Sequence, residues 1–269
     1  MSEFSIEWLT LREGYDLRAR NPDVLGAVAS RLKSKNPVRI IDLACGTGST
    51  LRALGPHLPA CQHWDLVDRN PRLLRAACGG KISEDISLNP IQFDLNGDHE
   101  AMLNRPSDLI TISALLDLVS ETWLDRFARR AAAQALPVYA ALTYDGRIEL
   151  SPSDPADAAI VAAVDAHQHT DKGFGPALGP SAAVDAISRF EALGYSVLLG
   201  ASDWVIGAAD QEIQIELLNG WAAAAREIQS LPSREIDIWL TRRRAAVNQC
   251  ASTMRVGHVD FLATPSTTR

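Results

Sequence analysis

The sequence predicts an α/β protein built on a doubly wound, mostly parallel sheet of seven strands, with helices ahead of the first strand and extra helices between the last two. Three observations predict it. Short β-branched apolar runs alternate with segments of helical period from Val38 to Tyr144, which is the pattern of strand–helix units feeding a parallel sheet. The first run, Val38 to Ala44, passes directly into Cys45-Gly46-Thr47-Gly48, a strand entering a tight glycine turn and then a helix. Gly55-Pro56, Asn70-Pro71 and Pro137 punctuate the boundaries between runs, where helices stop or start.

In chain order, Phe4 to Arg18 spaces Phe4, Trp8, Leu11 and Tyr15 at helical intervals. Asn21-Pro22 then caps a second helix carrying Val24, Leu25, Val28 and Leu32. These helices read either as packing on the sheet or as a lid whose Arg12, Tyr15, Arg18 or Arg20 touches ligand. After the glycine turn, a short helix from Ser49 ends at Gly55-Pro56, and His63 to Asp68 is the second strand. The helix after Asn70-Pro71 has Leu73, Leu74 and Ala77 inward and leads to the linker Gly79-Gly80-Lys81. Asn89-Pro90 interrupts the third strand, whose useful part is placed at Ile91 to Leu95. Asp108 to Leu116 is the fourth, followed by a helix capped by Ser120 with Trp123, Leu124, Phe127 and Ala131 inward. Val138 to Tyr144 is the fifth.

The second half adds a helix opened by Asp154-Pro155, a polar Gly/Pro loop from His167 to Pro176, and a helix capped by Ser181 with Val184, Ile187, Phe190 and Leu193. Tyr195 to Leu199 is strand six, reaching Asp203-Trp204. Helices from Asp210 to about Gln229 and from Ser233 to about Cys250 precede the last strand, Arg255 to Ala263. No repeat, low-complexity tract or inter-domain linker appears.

The composition is that of a soluble globular chain, 46% hydrophobic and 22% charged over 269 residues. With 26 basic and 33 acidic side chains the net charge is -7, which disfavours nucleic acid, since phosphate binding needs a concentrated basic surface. The first residues, with Glu3 and Glu7, lack a basic segment leading into an apolar one, and no window has the apolar length of a membrane span. The expectation is a cytoplasmic protein with no membrane partner. Cys45, Cys61, Cys78 and Cys250 are scattered without a C-x-x-C pair, and His167-x-His169 has no third ligand at a metal-binding spacing, so no metal is expected.

Glycines at the first turn let backbone approach a ligand closely. Asp68, at the tip of the second strand about twenty positions further on, can accept both hydroxyl protons of a ribose. Taken together, Asp42-Leu-Ala-Cys-Gly-Thr-Gly48, Leu66-Val-Asp68, Phe93-Asp94-Leu95 and Ser113-Ala-Leu-Leu-Asp117 resemble the class I S-adenosylmethionine-dependent methyltransferases, over about Val38 to Tyr144. The resemblance implies a single Rossmann-like domain over 1–269: a helical cap at 1–36, a cofactor-binding core at 37–150, and substrate-side additions with the last strands at 151–269. It implies that Gly46 and Gly48 line the methionine part of S-adenosylmethionine, with Asp42 acting through the loop or on the amino group. Asp68 would hold the ribose, Asp94 and the Leu95 N–H would read adenine, and Ala114 and Leu115 would border the sulfonium. Ala44, Cys45 and Arg69 complete the implied contacts. Taken singly, these residues also read as turn glycines, strand-end carboxylates and helix caps.

A nicotinamide or flavin fingerprint needs a third glycine where Leu51 stands, and Asp42 is foreign to it. The Asn/Asp-Pro-Pro-aromatic turn of enzymes that methylate base amines is absent, because Ser113-Ala-Leu-Leu stands there. The expected acceptor is a small molecule, methylated at O, N or C, and a homodimer is an open expectation. Tyr144, Asp145, Arg147, His167, His169, Asp203 and Trp204 are placed by position to meet the acceptor, with His167, His169 or Tyr144 as catalytic candidates. The two histidines read equally as helix C-terminal residues facing water, and Trp204, Trp221 and Trp239 as core. A protein that binds the cofactor or its demethylated product without catalysis fits the same motifs.

Overall fold

The computed structural model describes residues 4–80 and 83–266; Glu3 and Lys81, singled out from the sequence, lie outside them. Helix α1 (Ile6–Ala19) starts at Ser5, whose hydroxyl accepts from Trp8 N–H, and α2 (Pro22–Leu32) at Asn21, whose side chain accepts from Asp23 and Val24. Each cap satisfies N–H groups that the first turn leaves without an intrahelical partner. Strand β1 (Val38–Leu43) leads through the glycine turn to α3 (Ser49–Leu54), then β2 (Gln62–Asp68), α4 (Pro71–Cys78) and β3 (Ile86–Gln92). Next come β4 (Leu109–Ser113), α5 (Glu121–Ala133) and β5 (Val138–Ser151). The second half contributes α6 (Asp157–Gln168), α7 (Ala182–Ala192), β6 (Tyr195–Ala201), β7 (Trp204–Ile206), α8 (Gln211–Ile228), α9 (Ser233–Asn248) and β8 (Thr253–Pro265).

Among the described residues these strands form one eight-stranded sheet in the order β3-β2-β1-β4-β5-β8-β6, with β7 also paired to β8. Neighbours from β3 to β5 are parallel, and β8 runs antiparallel to β5, β6 and β7. The fold is therefore the Rossmann-like, mostly parallel α/β architecture expected, with one strand more than the seven read from sequence. The extra strand is β7: what reads as an extension of strand six is a separate piece, because Ser202 and Asp203 break between them and the chain re-pairs lower on β8.

Both faces of the sheet are covered, as parallel sheets require. Ile41, Leu43, Ile110, Ile112 and Val138 pack against α5 and α7, while Val38, Ile40, Trp64, Leu66 and Tyr139 pack against α2, α3 and α4. Strand β5 continues past its parallel neighbours through register shifts after Ala140 and Tyr144. Its far half, with β7 and the start of β8, carries a third core of α6, α8 and α9 in which Trp204, Trp221 and Trp239 are buried, as expected.

Three local expectations are corrected. The third strand is Ile86–Gln92 rather than Ile91 to Leu95: β3 is an edge strand, where Pro90 removes no essential ladder donor. Val184 points to solvent at 71% exposure, since Ala182, Ala183, Ala186 and Phe190 form the buried face of α7. Ser181 does not cap that helix, because its hydroxyl bonds the Leu178 carbonyl and Asp185. No helix among the described residues is long and apolar enough to cross a membrane.

Candidate functional site

In the strand order the chain leaves β1 toward β2 on one side and toward β4 on the other, so the carboxyl ends of β1 and β4 flank a topological switch point, where open α/β sheets meet ligands. A cleft lies there. Its walls are the β1 turn from Ala44 to Thr50, the β2 end from Asp68 to Asn70, Phe93 to Leu95, and Ser113 to Leu115. Phe4, Leu9, Arg12 and Asp16 close it from the α1 side, with Leu118 and Phe174 at one end.

The backbone of the β1 turn is shaped for close approach. Ala44, Gly46 and Gly48 have φ of 55°, 55° and 83°, the left-handed region that costs a side-chain-bearing residue energy. Across the cleft Ala114 is also left-handed, at 49°. Two alanines held this way at the ends of adjacent strands mark both walls as constrained. At Gly48 a Cβ would also sit 3.2 Å from the Ala77 Cβ, so glycine lets α4 pack against the turn.

Asp68 fixes the turn to the second strand. Its carboxylate accepts from Gly46 N–H at 3.0 Å and from Asn70 N–H at 2.8 Å. Asn70, not Asp68, caps α4 by accepting from Arg72 N–H. Asp94 is exposed on the cleft wall and turns the chain by accepting from Asn96 N–H at 3.0 Å. Leu95 is buried, its carbonyl accepting from Trp123 Nε1 at 2.7 Å.

Asp42 lies below the turn and is fully buried. Thr111 Oγ1 donates to its Oδ1 at 2.7 Å, while Oδ2 has no partner. Burial pushes this carboxyl up to about 7, against the pull of Thr111 and Arg20. Cys45 is buried beside it, and burial drives its thiol well above the usual range.

Helix α1 combines both roles the sequence left open. Trp8, Leu11 and Tyr15 pack on the third core, whereas Leu9, Arg12 and Asp16 line the cleft. Arg12 is held bidentately by Asp16 at 3.0 and 3.1 Å, and Trp204 Nε1 donates to the same carboxylate at 3.1 Å. Glu13 pairs with Arg52 of α3, tying the lid to the helix after the glycine turn. Arg18 lies over the Tyr15 ring, outside the cleft lining.

The structure thus brings Asp42, Ala44, Cys45, Gly46, Gly48, Asp68, Arg69, Asp94, Leu95, Ala114 and Leu115 to one edge of the sheet, and all but Asp42 and Gly48 line the cleft directly. It does not bring His167, His169 or Tyr144 there. His167 sits in the last turn of α6, with Nε2 at 2.9 Å from Glu227 on α8. His169 Nδ1 meets the Asp165 carbonyl at 2.8 Å, and Tyr144 donates to Asp165 Oδ1 at 2.9 Å from within the third core. The antiparallel extension of β5 carries Tyr144 beyond the cleft. Asp145, Arg147 and Asp203 form a surface charge cluster with Arg255.

Sequence reasoning gave Asp117 no acceptor-side role. It is 7% exposed, its Oδ1 has no partner, and burial pushes its carboxyl up to about 6, offset in part by its own backbone N–H, Arg12 and Lys172. The signal was its place in Leu115-Leu116-Asp117-Leu118, a carboxylate between leucines at the end of a buried strand.

The fold and this switch-point cleft are those of a Rossmann-like, doubly wound α/β protein. Among solved structures it is similar to a cyclopropane-fatty-acyl-phospholipid synthase-like protein from Lactobacillus casei, with 12% identity, 97% of this chain and 94% of that chain covered, and a TM-score of 0.54. It is also similar to the YcgJ protein from Bacillus subtilis, with 11% identity, coverage of 91% and 99%, and a TM-score of 0.50. No protein-family profile matches the chain, and no curated protein matches it.

Proposed function

We propose that the protein is an S-adenosylmethionine-dependent methyltransferase acting on a small-molecule acceptor. The observation that carries this is the convergence of the left-handed β1 turn, Asp68, Asp94 with Leu95, and Ala114 with Leu115 on one cleft at the ends of four successive strands of the sheet.

In this reading Asp68 accepts from ribose hydroxyls while keeping the turn in place. Leu73, Phe93 and Leu95 form an apolar slot for a flat base, with Asp94 at its edge. The left-handed turn leaves room for the methionine portion. The bound cofactor supplies an electrophilic methyl group to a nucleophile held opposite it.

The remaining work is alignment and exclusion of water, which dominates such displacements. The α1 lid, Leu118 and Phe174 enclose the acceptor end. Where the acceptor must lose a proton, Asp117 is a candidate by its place next to Leu118 of the cleft wall, a buried carboxyl raised to about 6. The test is incubation of the purified protein with methyl-labelled S-adenosylmethionine and a small-molecule extract, beside DNA, RNA and protein fractions. Label is expected in the small-molecule fraction; label confined to nucleic acid or protein contradicts the acceptor class.

A further inference from the structure

The two edges of the sheet are built differently. At one edge β3 carries Asn89 and Pro90, and a proline there removes a donor that an arriving strand would use. At the other edge β6, Tyr195-Ser-Val-Leu-Leu-Gly-Ala201, has no proline and no charged residue, and it pairs with β8 along its whole length without a register shift. Charges, prolines and bulges are the usual means of keeping an edge single; β6 has none of them. Its Leu198 and Leu199 are 44% and 55% exposed.

The main chain of β6 presents an alternating pattern. Ser202 N–H donates to the His258 carbonyl at 2.8 Å and Ser266 N–H to the Gly194 carbonyl at 3.1 Å. In this antiparallel pair the even-numbered residues of β6 therefore direct their N–H and C=O groups at β8. Those of Val197 and Leu199 face the other way, where β6 has no strand neighbour among the described residues. Side chains alternate between the faces. Tyr195 and Val197 pack with Phe190 of α7, and Leu199 shares their face; Leu198 shares the opposite face with Gly200, against which the Asn21 side chain lies. Each face of the edge thus ends in one exposed leucine.

We propose that two copies of this chain join through β6, antiparallel, about a two-fold axis at Leu198, so that their sheets become continuous. In that register Val197 exchanges main-chain hydrogen bonds with the partner's Leu199, and Leu199 with the partner's Val197, using the groups that β8 leaves free. Directly opposed residues share a face. Leu198 then meets the partner's Leu198 on the α2 side, and the two valine–leucine pairs cover the α7 side, all apolar. A slip of one residue would set these groups against ones already bonded to β8 and turn every side chain to the wrong face. The Ala201 carbonyl accepts from Asn21 Nδ2 at 3.1 Å, which confines the new ladder to the middle of β6. Such an isologous contact closes on itself and leaves no edge for a third copy. It is independent of the ligand that the cleft takes.

Size-exclusion chromatography with light scattering over a dilution series should give the wild-type protein the mass of two chains. Leu198→Lys sets two like charges opposite each other at the axis and should raise the dissociation constant at least about tenfold; circular dichroism should be unchanged, because the side chain is already exposed. Leu198→Cys should form a disulfide between copies on mild oxidation, since opposed residues outside the hydrogen-bonded pairs have Cα atoms about 4.5 Å apart, within disulfide reach. Ser196→Cys would face the partner's Gly200 and should stay free, as should wild type, whose exposed Cys250 is the control.

A wild-type protein of single-chain mass at every concentration overturns the proposal. So does a dimer that Leu198→Lys leaves intact, or one in which Ser196→Cys cross-links as readily as Leu198→Cys. Should Leu198→Lys not fold, the two cysteine variants carry the same decision.

Discussion

Asp42→Asn isolates the cost of the buried carboxylate under the β1 turn. Its folded-state carboxyl is pushed from 3.8 up to about 7 by burial. A raised value means the native state binds the proton more tightly than the unfolded chain, so stability is full below the unfolded value and falls as pH rises through the folded one. The shift of about three units corresponds to about 4 kcal/mol at 1.36 kcal/mol per unit, lost between about pH 4 and pH 7 and constant above. Asparagine keeps an oxygen for the Thr111 hydroxyl and carries no charge. Urea denaturation of ligand-free wild type and Asp42→Asn at about pH 5 and pH 8 should show the variant gaining on wild type by about 3 kcal/mol across that interval. The difference between the two proteins cancels the opposing contribution of His99 and His258, which burial depresses to about 4 in both. A gap that stays constant over the interval refutes the reasoning, because it means that Asp42 is ionised in the folded state without penalty.

Asp68→Ala leaves two backbone N–H groups without their carboxylate; it should lower stability by about 2–4 kcal/mol and weaken S-adenosylhomocysteine at least about tenfold by calorimetry, whereas undiminished affinity removes Asp68 from the site. His167→Ala breaks a partly exposed pair with Glu227 and a contact with Lys172 Nζ at 3.2 Å, so stability should change by less than about 1 kcal/mol and ligand affinity not at all; a tenfold loss of affinity would place the histidine in the site after all. Gly200→Ala puts a methyl group into the Asn21 side chain, which caps α2 and bonds the Ala201 carbonyl; a loss of about 2 kcal/mol, seen as a melting point lower by about 4–8 °C, is expected, and an unchanged melting point would show that the cap is dispensable.

The strands at the centre of the sheet were legible because burial on both faces leaves an apolar run that no helix imitates: β1 and β4 fall close to where their sequences place them. The carboxylates at strand ends were legible for the same reason, since locating the strand locates its tip. Legibility declines where a residue's meaning depends on distant chain. Pro90 reads as an interruption until β3 proves to be an edge. Alanine-rich α7 offers two apolar faces, and only packing on the sheet selects the alanine and Phe190 face over the one with Val184. The acceptor-side expectations were displaced because β5 runs on to Ser151 with β8 folded back along it, which carries Tyr144 away from the cleft. Arg20 was visible as one of several arginines on the first helices. Its pairing with Thr50, Ser113 and Tyr139 spans 30 to 119 positions in sequence and follows only from the closed fold.

Calorimetric titration of the wild-type protein with S-adenosylmethionine, S-adenosylhomocysteine and NAD tests the central claim most directly. The cleft predicts that both sulfur ligands bind at about micromolar strength, about -8 kcal/mol, and that NAD gives no heat. Binding of NAD alone, or of none of the three, would contradict the assignment of the β1 turn, and the site built around it would fall with it.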